Sequence, residues 1–256
     1  VRVFGDDGAW AYSSTLVDAT NRCASAGAKI ISMSLGGAKS SRTEITAFNN
    51  LYTAGILSIA AAGNEGTSAN NYPASYTTVV SVAAIDSNMV VADFSQYNAQ
   101  VELAAPGVAV MTADLTLGGV VGYAYTEVTG TSIAAAHAAG AMALLLSAFP
   151  GISVDELERA LMDSALDLGD AGPDNAYGYG LIDCLEAHAS LELLPVTTTT
   201  SSIIASTSSS STTSTAPPSW PIAYDRLWAD RTDIHLRLLR SYRDEILSRS
   251  DAGRDS

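Results

Sequence analysis

Gly130-Thr131-Ser132 opens the stretch of this 256-residue chain best suited to chemistry. A tight turn there delivers a serine to the mouth of an apolar run over 133–149. The run is alanine-rich on every side, which predicts a helix with no polar face and therefore a buried one. At the first turn of a helix, free N–H groups and the positive end of the dipole face outward. A serine placed there suits a nucleophile whose reaction builds up negative charge nearby. Two plainer readings compete. Thr131 or Ser132 could be an ordinary N-cap. The apolar run could be a membrane span, but its length of about 17 residues, with His137 and Ser147 inside, is short of the roughly 20 a span requires.

The elements that must position Ser132 can be traced by periodicity. A helical pattern over 13–26 (Leu16, Val17, Thr20, Cys23, Ala24) closes at Gly27. A β-rich run over 29–35 ends in Gly36-Gly37. Ser41-Arg42-Thr43-Glu44 has the form of a capping box, and its helix carries an apolar stripe of Ile45, Phe48, Leu51 and Tyr52 before Gly55. The run over 56–62 reads as a buried strand ending at Gly63-Asn64. Further strands are predicted over 77–85 and 101–104, the second stopped by Ala105-Pro106-Gly107. Ser153-Val154-Asp155-Glu156 is a second capping box, opening a helix with Leu157, Ala160 and Leu161 inward. Gly178-Tyr179-Gly180-Leu181 leads into a last short helix to about Leu191. Strands alternating with helices at this spacing predict βαβ crossovers and a mostly parallel sheet.

Composition narrows the function. A net charge of −14 and a pI near 4.4 argue against nucleic acid, whose phosphates need clustered Lys and Arg. The acidic excess lies entirely within 1–221, and 222–256 is balanced. Cys23 and Cys184 allow at most one internal disulfide and have no metal-type spacing; small buried side chains are the expected role. Residues 192–221 are dominated by Ser and Thr and predict a disordered linker of the kind often O-glycosylated in secreted proteins. Leu227, Ile234, Leu238 and Leu239 among arginines predict a charged amphipathic helix within a tail over 222–256. Val1-Arg2-Val3-Phe4 reads as a strand already under way, so the chain is expected to be a fragment that lacks its own beginning.

Several glycine-marked segments now fall into a family order. Ser34-Leu35-Gly36-Gly37, Ala61-Ala62-Gly63-Asn64, Tyr72-Pro73-Ala74, Ala105-Pro106-Gly107, Gly130-Thr131-Ser132 and Tyr179-Gly180-Leu181-Ile182 together resemble the subtilisin-like serine peptidases, or subtilases. The resemblance covers 1–191 and implies an N-terminally truncated, three-layer α/β catalytic domain with a mostly parallel central sheet. It implies that Ser132 attacks a peptide carbonyl to form an acyl-enzyme. Asn64 would donate its side-chain amide to the oxyanion beside the Ser132 N–H; taken alone, Gly63-Asn64 would be a turn. Ser34, Leu35 and Gly36 on one side, and Ala61, Ala62 and Gly63 on the other, would be the walls of the substrate cleft, pairing with an extended peptide. Glu65 would lie at the rim of the first specificity pocket, favouring basic or polar residues, or would be a solvated loop charge.

The resemblance also exposes a gap. A serine hydroxyl needs a base, and the family orders its triad Asp, His, Ser. Neither an Asp-Ser/Thr-Gly turn nor a His-Gly-Thr-His helix start occurs in the sequence. His137 lies about 140° round and 7.5 Å along the helix from Ser132 and is assigned to packing. His188 and His235 have no motif around them, and Asp6-Asp7-Gly8 reads as a surface loop. Ala136 stands where most subtilases have Pro, which should leave the helix straighter, and Ile133 where they have Met, a mild change of shape. The expectation is a secreted serine endopeptidase acting as a monomer on peptide or protein substrates, with little or no activity in this chain alone. No cofactor is required, although the family implies structural calcium as an option. The alternative is a non-catalytic module that binds peptides or a partner. An α/β hydrolase of another family would need Gly-x-Ser-x-Gly, which Gly130-Thr131-Ser132-Ile133-Ala134 lacks.

Overall fold

A computed structural model describes residues 1, 3–4, 13–114 and 124–193. The Asp6-Asp7-Gly8 loop, the Ser/Thr-rich linker beyond Leu193, and the tail with His235 lie outside the described residues. Val1 and Val3, read from sequence as part of a strand, lie in none.

Helix α1 (Ser13–Ser25) leads to β1 (Ile30–Met33), α2 (Arg42–Thr53), β2 (Leu57–Ala61), β3 (Val79–Ile85) and β4 (Val101–Pro106). The four strands form one parallel sheet in the order β1-β2-β3-β4. A hairpin of β5 (Val110–Asp114) and β6 (Ala124–Val128) follows, then α3 (Thr131–Ala148), α4 (Val154–Asp163) and α5 (Cys184–Glu192). One face of the sheet presents Leu57, Ile59, Val80, Val82, Leu103 and their neighbours to α3, α4 and α5. The other presents Ile31, Met33, Ala60 and Val79 to Leu16 of α1 and to Phe48 and Leu51 of α2. Helices therefore cover both faces of a parallel sheet, the three-layer α/β architecture. β2 and β3 are buried along their whole length, which explains their unbroken apolar runs.

Helix α3 packs against all four strands and against α4 and α5. By length and mean hydropathy (18 residues, 1.5) it could cross a membrane. Its contacts make it the core helix of this layer. Burial is not uniform, however. Ala136, Gly140, Ala143 and Ser147 form an exposed stripe, because small residues tolerate water on the face turned from the sheet.

Three local expectations are corrected. The Ser41 side chain makes no cap bond. Instead the Tyr76 hydroxyl accepts from the Ser41 N–H (2.8 Å) and donates to buried Glu44 (2.7 Å), so a tyrosine from the turn before β3 takes the capping role. Ile45, placed in the apolar stripe, is 40% exposed, and Ala47 faces the core with Phe48 and Leu51. β4 runs on through Pro106, since as the edge of the sheet it can spare the missing N–H, and the Gly107 N–H bonds Ile85 O (3.0 Å). The capping box at Ser153 is complete, with both reciprocal bonds to Glu156. Glu156 is held below the usual carboxylate range, chiefly by the Ser153 hydroxyl.

A carboxyl group lies in the lower part of the sheet, away from the carboxyl ends of the strands. The pairing of β3 with β4 slips between Ser81 and Val82, so Glu102 is an extra residue in the ladder. Its side chain accepts the Ser81 N–H (3.1 Å) that the slip would otherwise leave unpaired. Burial pushes the Glu102 carboxyl up to about 8, with help from the nearby charge of Glu158. Burial raises Glu158 too, and its carboxylate shares the Tyr52 hydroxyl with Asp155. Tyr52 thereby ties the end of α2 to α4.

Candidate active site

Doubly covered parallel sheets place their functional residues at the carboxyl ends of the strands. Here those ends are Ser34-Leu35-Gly36 after β1, Ala62-Gly63-Asn64 after β2 and Gly107 after β4. The hairpin returns the chain to the same place. The Gly130 N–H bonds Gly107 O (2.8 Å) and Thr129 Oγ1 accepts from the Ala109 N–H (2.9 Å), so β5 and β6 form a closed loop whose base presents α3. The sequence reading missed this hairpin. Its signal was the alternation of Val110 and Thr112 with that of Thr126 and Val128, with Gly118-Gly119 between the two runs in the sequence.

Ser132 is the second residue of α3 and is half-buried. Gly130, at φ 154°, is the N-cap and has no side chain to offer, so neither Thr131 nor Ser132 serves as one. Thr131 is fully buried and does something else. Its backbone N–H (2.9 Å) and its hydroxyl (2.8 Å) both donate to Asn64 Oδ1, and the hydroxyl accepts from the Gly63 N–H (3.2 Å). With Oδ1 held by two donors, Asn64 Nδ2 must turn the other way. The point where a β-carbon would sit on Gly130 lies 3.5 Å from Nδ2 and 3.8 Å from the Ser132 nitrogen. Two N–H donors thus border the same small space, which glycine leaves open.

The walls assigned from sequence also come together here. The Ser34 hydroxyl donates to Ser132 O (2.9 Å), pinning the end of β1 to the first turn of α3. Ser34 and Gly36 are exposed, Leu35 is half-buried, and Ala61, Ala62 and Gly63 are buried. Asn64 and Glu65 are exposed at the mouth. His137 Nδ1 lies 3.0 Å from Ile133 O in its own helix, and the His188 ring packs tilted against Phe149 (4.9 Å between rings) near Glu192. Cys23 and Cys184 are free thiols; burial pushes Cys184 up to about 12, so it is no nucleophile at neutral pH. Among the described residues no group of three or more His, Cys, Asp or Glu is arranged to hold a metal ion.

The Subtilase family pattern matches residues 1–180. The chain belongs to the subtilase family. It is 37% identical over 187 residues to subtilisin DY of Bacillus licheniformis, covering 72% of this chain and 65% of that protein. It is 41% identical over 182 residues to the halolysin-like extracellular serine protease Nep of Natrialba magadii, covering 71% and 32%. Among solved subtilase structures, the psychrophilic subtilisin-like protease Apa1 of the Antarctic Pseudoalteromonas sp. AS-11 superposes with a TM-score of 0.68 at 28% identity. That match covers 75% of this chain and 77% of Apa1. The chain spans less than two thirds of these curated subtilases' length.

Proposed function

We propose that this chain carries the nucleophile and oxyanion site of a secreted serine endopeptidase. Ser132 Oγ attacks the carbonyl of a peptide laid between the two walls. The hydroxyl proton passes to a base and the carbonyl oxygen of the tetrahedral intermediate becomes an anion, which takes hydrogen bonds from Asn64 Nδ2 and the Ser132 N–H. On collapse the C–N bond breaks, the amine leaves with that proton, and the acyl-enzyme remains. Donors fixed in advance stabilise that charge without reorganising. Thr131 is a positioning residue, because its two bonds to Oδ1 dictate which way the Asn64 amide faces. That locked amide beside the nucleophile's own N–H is the observation carrying the proposal.

The base that removes the Ser132 proton, and the acid that orients the base, come from a segment bearing the two motifs the sequence lacks. Alone, the chain has little or no peptidase activity. The peptide lies extended, bonded to the backbone of both walls, with Glu65 at the rim. Secretion rests on the extracellular relatives and on the Ser/Thr-rich linker.

A fluorophosphonate probe tests both halves of this reading. The 256-residue chain should label slowly or not at all. The chain joined to the region encoded upstream of Val1 should label quickly on Ser132, and not in Ser132→Ala. Rapid labelling of the isolated chain would overturn the missing-base argument. A joined chain that carries both motifs, folds and yet stays unlabelled would overturn the peptidase.

A further inference from the structure

Asn71 was not singled out by its sequence context, yet it stands between the two walls. The backbone brings it there. Gly37 and Tyr72 exchange both of their N–H···O bonds (2.8 and 2.7 Å), so the segment holding Asn71 lies alongside the exit of β1. The side chain then crosses toward β2, and Nδ2 donates to Ala61 O (3.2 Å). The residue is held from below as well: its N–H donates to Ser75 Oγ (3.1 Å), and its carbonyl accepts the Ser75 N–H (2.8 Å). Asn71 is 7% exposed.

Its amide packs on the glycines of both walls. A β-carbon on Gly36 would lie 2.2 Å from Nδ2 and 2.6 Å from Oδ1 of Asn71. On Gly63 it would lie 3.2 Å from the same Nδ2, and 1.4 Å from Gln96 Oε1. Both walls must therefore be glycine at these points, and the space between them is occupied by an amide rather than left as a slot. Gln96 closes the far side of Gly63, its Nε2 anchored on Ala69 O (2.7 Å).

We propose that Asn71 makes the pocket between the walls shallow, so that the peptide residue whose carbonyl faces Ser132 must have a small, uncharged side chain: Gly, Ala or Ser. The proposal rests on the peptidase reading and adds the substrate class to it. An aromatic ring, or the stem of a lysine reaching for Glu65, would have to displace an amide that is hydrogen-bonded to Ala61 and wedged on Gly36. Moving it would leave that buried carbonyl without its donor, a loss a hydrophobic side chain cannot make good.

The test is equilibrium binding of acetylated tetrapeptide amides ending in Ala or Phe, measured by calorimetry on the 256-residue chain and on Asn71→Gly and Asn71→Ala. The native chain should bind the Ala peptide at least 10-fold more tightly than the Phe peptide. Asn71→Gly should narrow or reverse that ratio by at least 10-fold, with Asn71→Ala in between. Circular dichroism checks that each variant is folded; if Asn71→Gly is not, Asn71→Ala decides. A folded variant with an unchanged ratio, or a native chain that prefers Phe, overturns the Asn71 assignment and leaves the cleft standing. Failure of every folded protein to bind either peptide overturns the cleft itself, and the assignment with it.

Discussion

Glu102 makes the stability of this chain depend on pH in a direction opposite to ordinary acid denaturation. In the unfolded chain the carboxyl ionises at its usual 4.5, while in the native chain burial holds the proton to about 8. Between those values the unfolded state binds fewer protons, so stability falls as pH rises. It is fully present below 4.5 and lost through about 8. At about 1.4 kcal/mol per pH unit, the loss is about 3 kcal/mol by pH 7 and approaches about 5 kcal/mol above pH 8. Glu158, raised in the same direction, adds to the slope. Glu102→Gln keeps an oxygen for the Ser81 N–H but cannot ionise, so most of the slope should vanish and the variant should be the more stable protein at pH 8. Urea denaturation of both proteins at half-unit steps from pH 4.5 to 8.5 measures this. A Glu102→Gln protein with the full native slope, or a native chain that gains stability across the window, would refute the reasoning.

Four further outcomes are expected. In the chain completed with its base, Asn64→Ala should cut kcat by about 10²–10³, the loss known for the equivalent donor in subtilisin itself, and Thr131→Val should cut it less while leaving KM nearly unchanged. Ser153→Ala should lower stability by about 1 kcal/mol, read from thermal melts, and should flatten the acid limb below pH 4.5, where the depressed Glu156 loses its charge. Gly63→Ala should be among the most damaging single changes, since its φ of 118° is unfavourable and its β-carbon would overlap Gln96; loss of soluble, folded protein on expression checks it. Cys184 should resist alkylation by iodoacetamide at pH 8 while the chain is folded and react once urea unfolds it, as mass spectrometry would show.

Much of this arrangement was legible in the sequence because it is local. A helix signalled by Gly130 and a long aliphatic run, or a box written as Ser153…Glu156, depends on residues a few positions apart. The box at Ser41 looked identical in sequence and failed, because a tyrosine 35 residues away offered Glu44 a better partner than its own N-terminus. The same limit hid the role of Thr131. As a threonine before an apolar run it reads as a cap, and only the fold brings Asn64 to it across 67 residues. Asn71 left no trace at all, since nothing in its neighbours says that two glycines from different strands will close on its amide. Glu102 was not marked out either, because its place depends on a slip in strand register that no residue type announces.

The seat of Ser132 has a consequence for how this protein can change. Its helix is the beam on which every strand of the parallel sheet bears, and the hairpin and the end of β1 are fastened to the same end of it. A substitution on the buried side of that beam, at Ala134, Ala138, Met142 or Leu145, therefore bears on the seat of Ser132 as well as on the core. Under the proposed function, tuning of rate and tuning of robustness are coupled through that buried face, and only the exposed stripe of the helix is released from both.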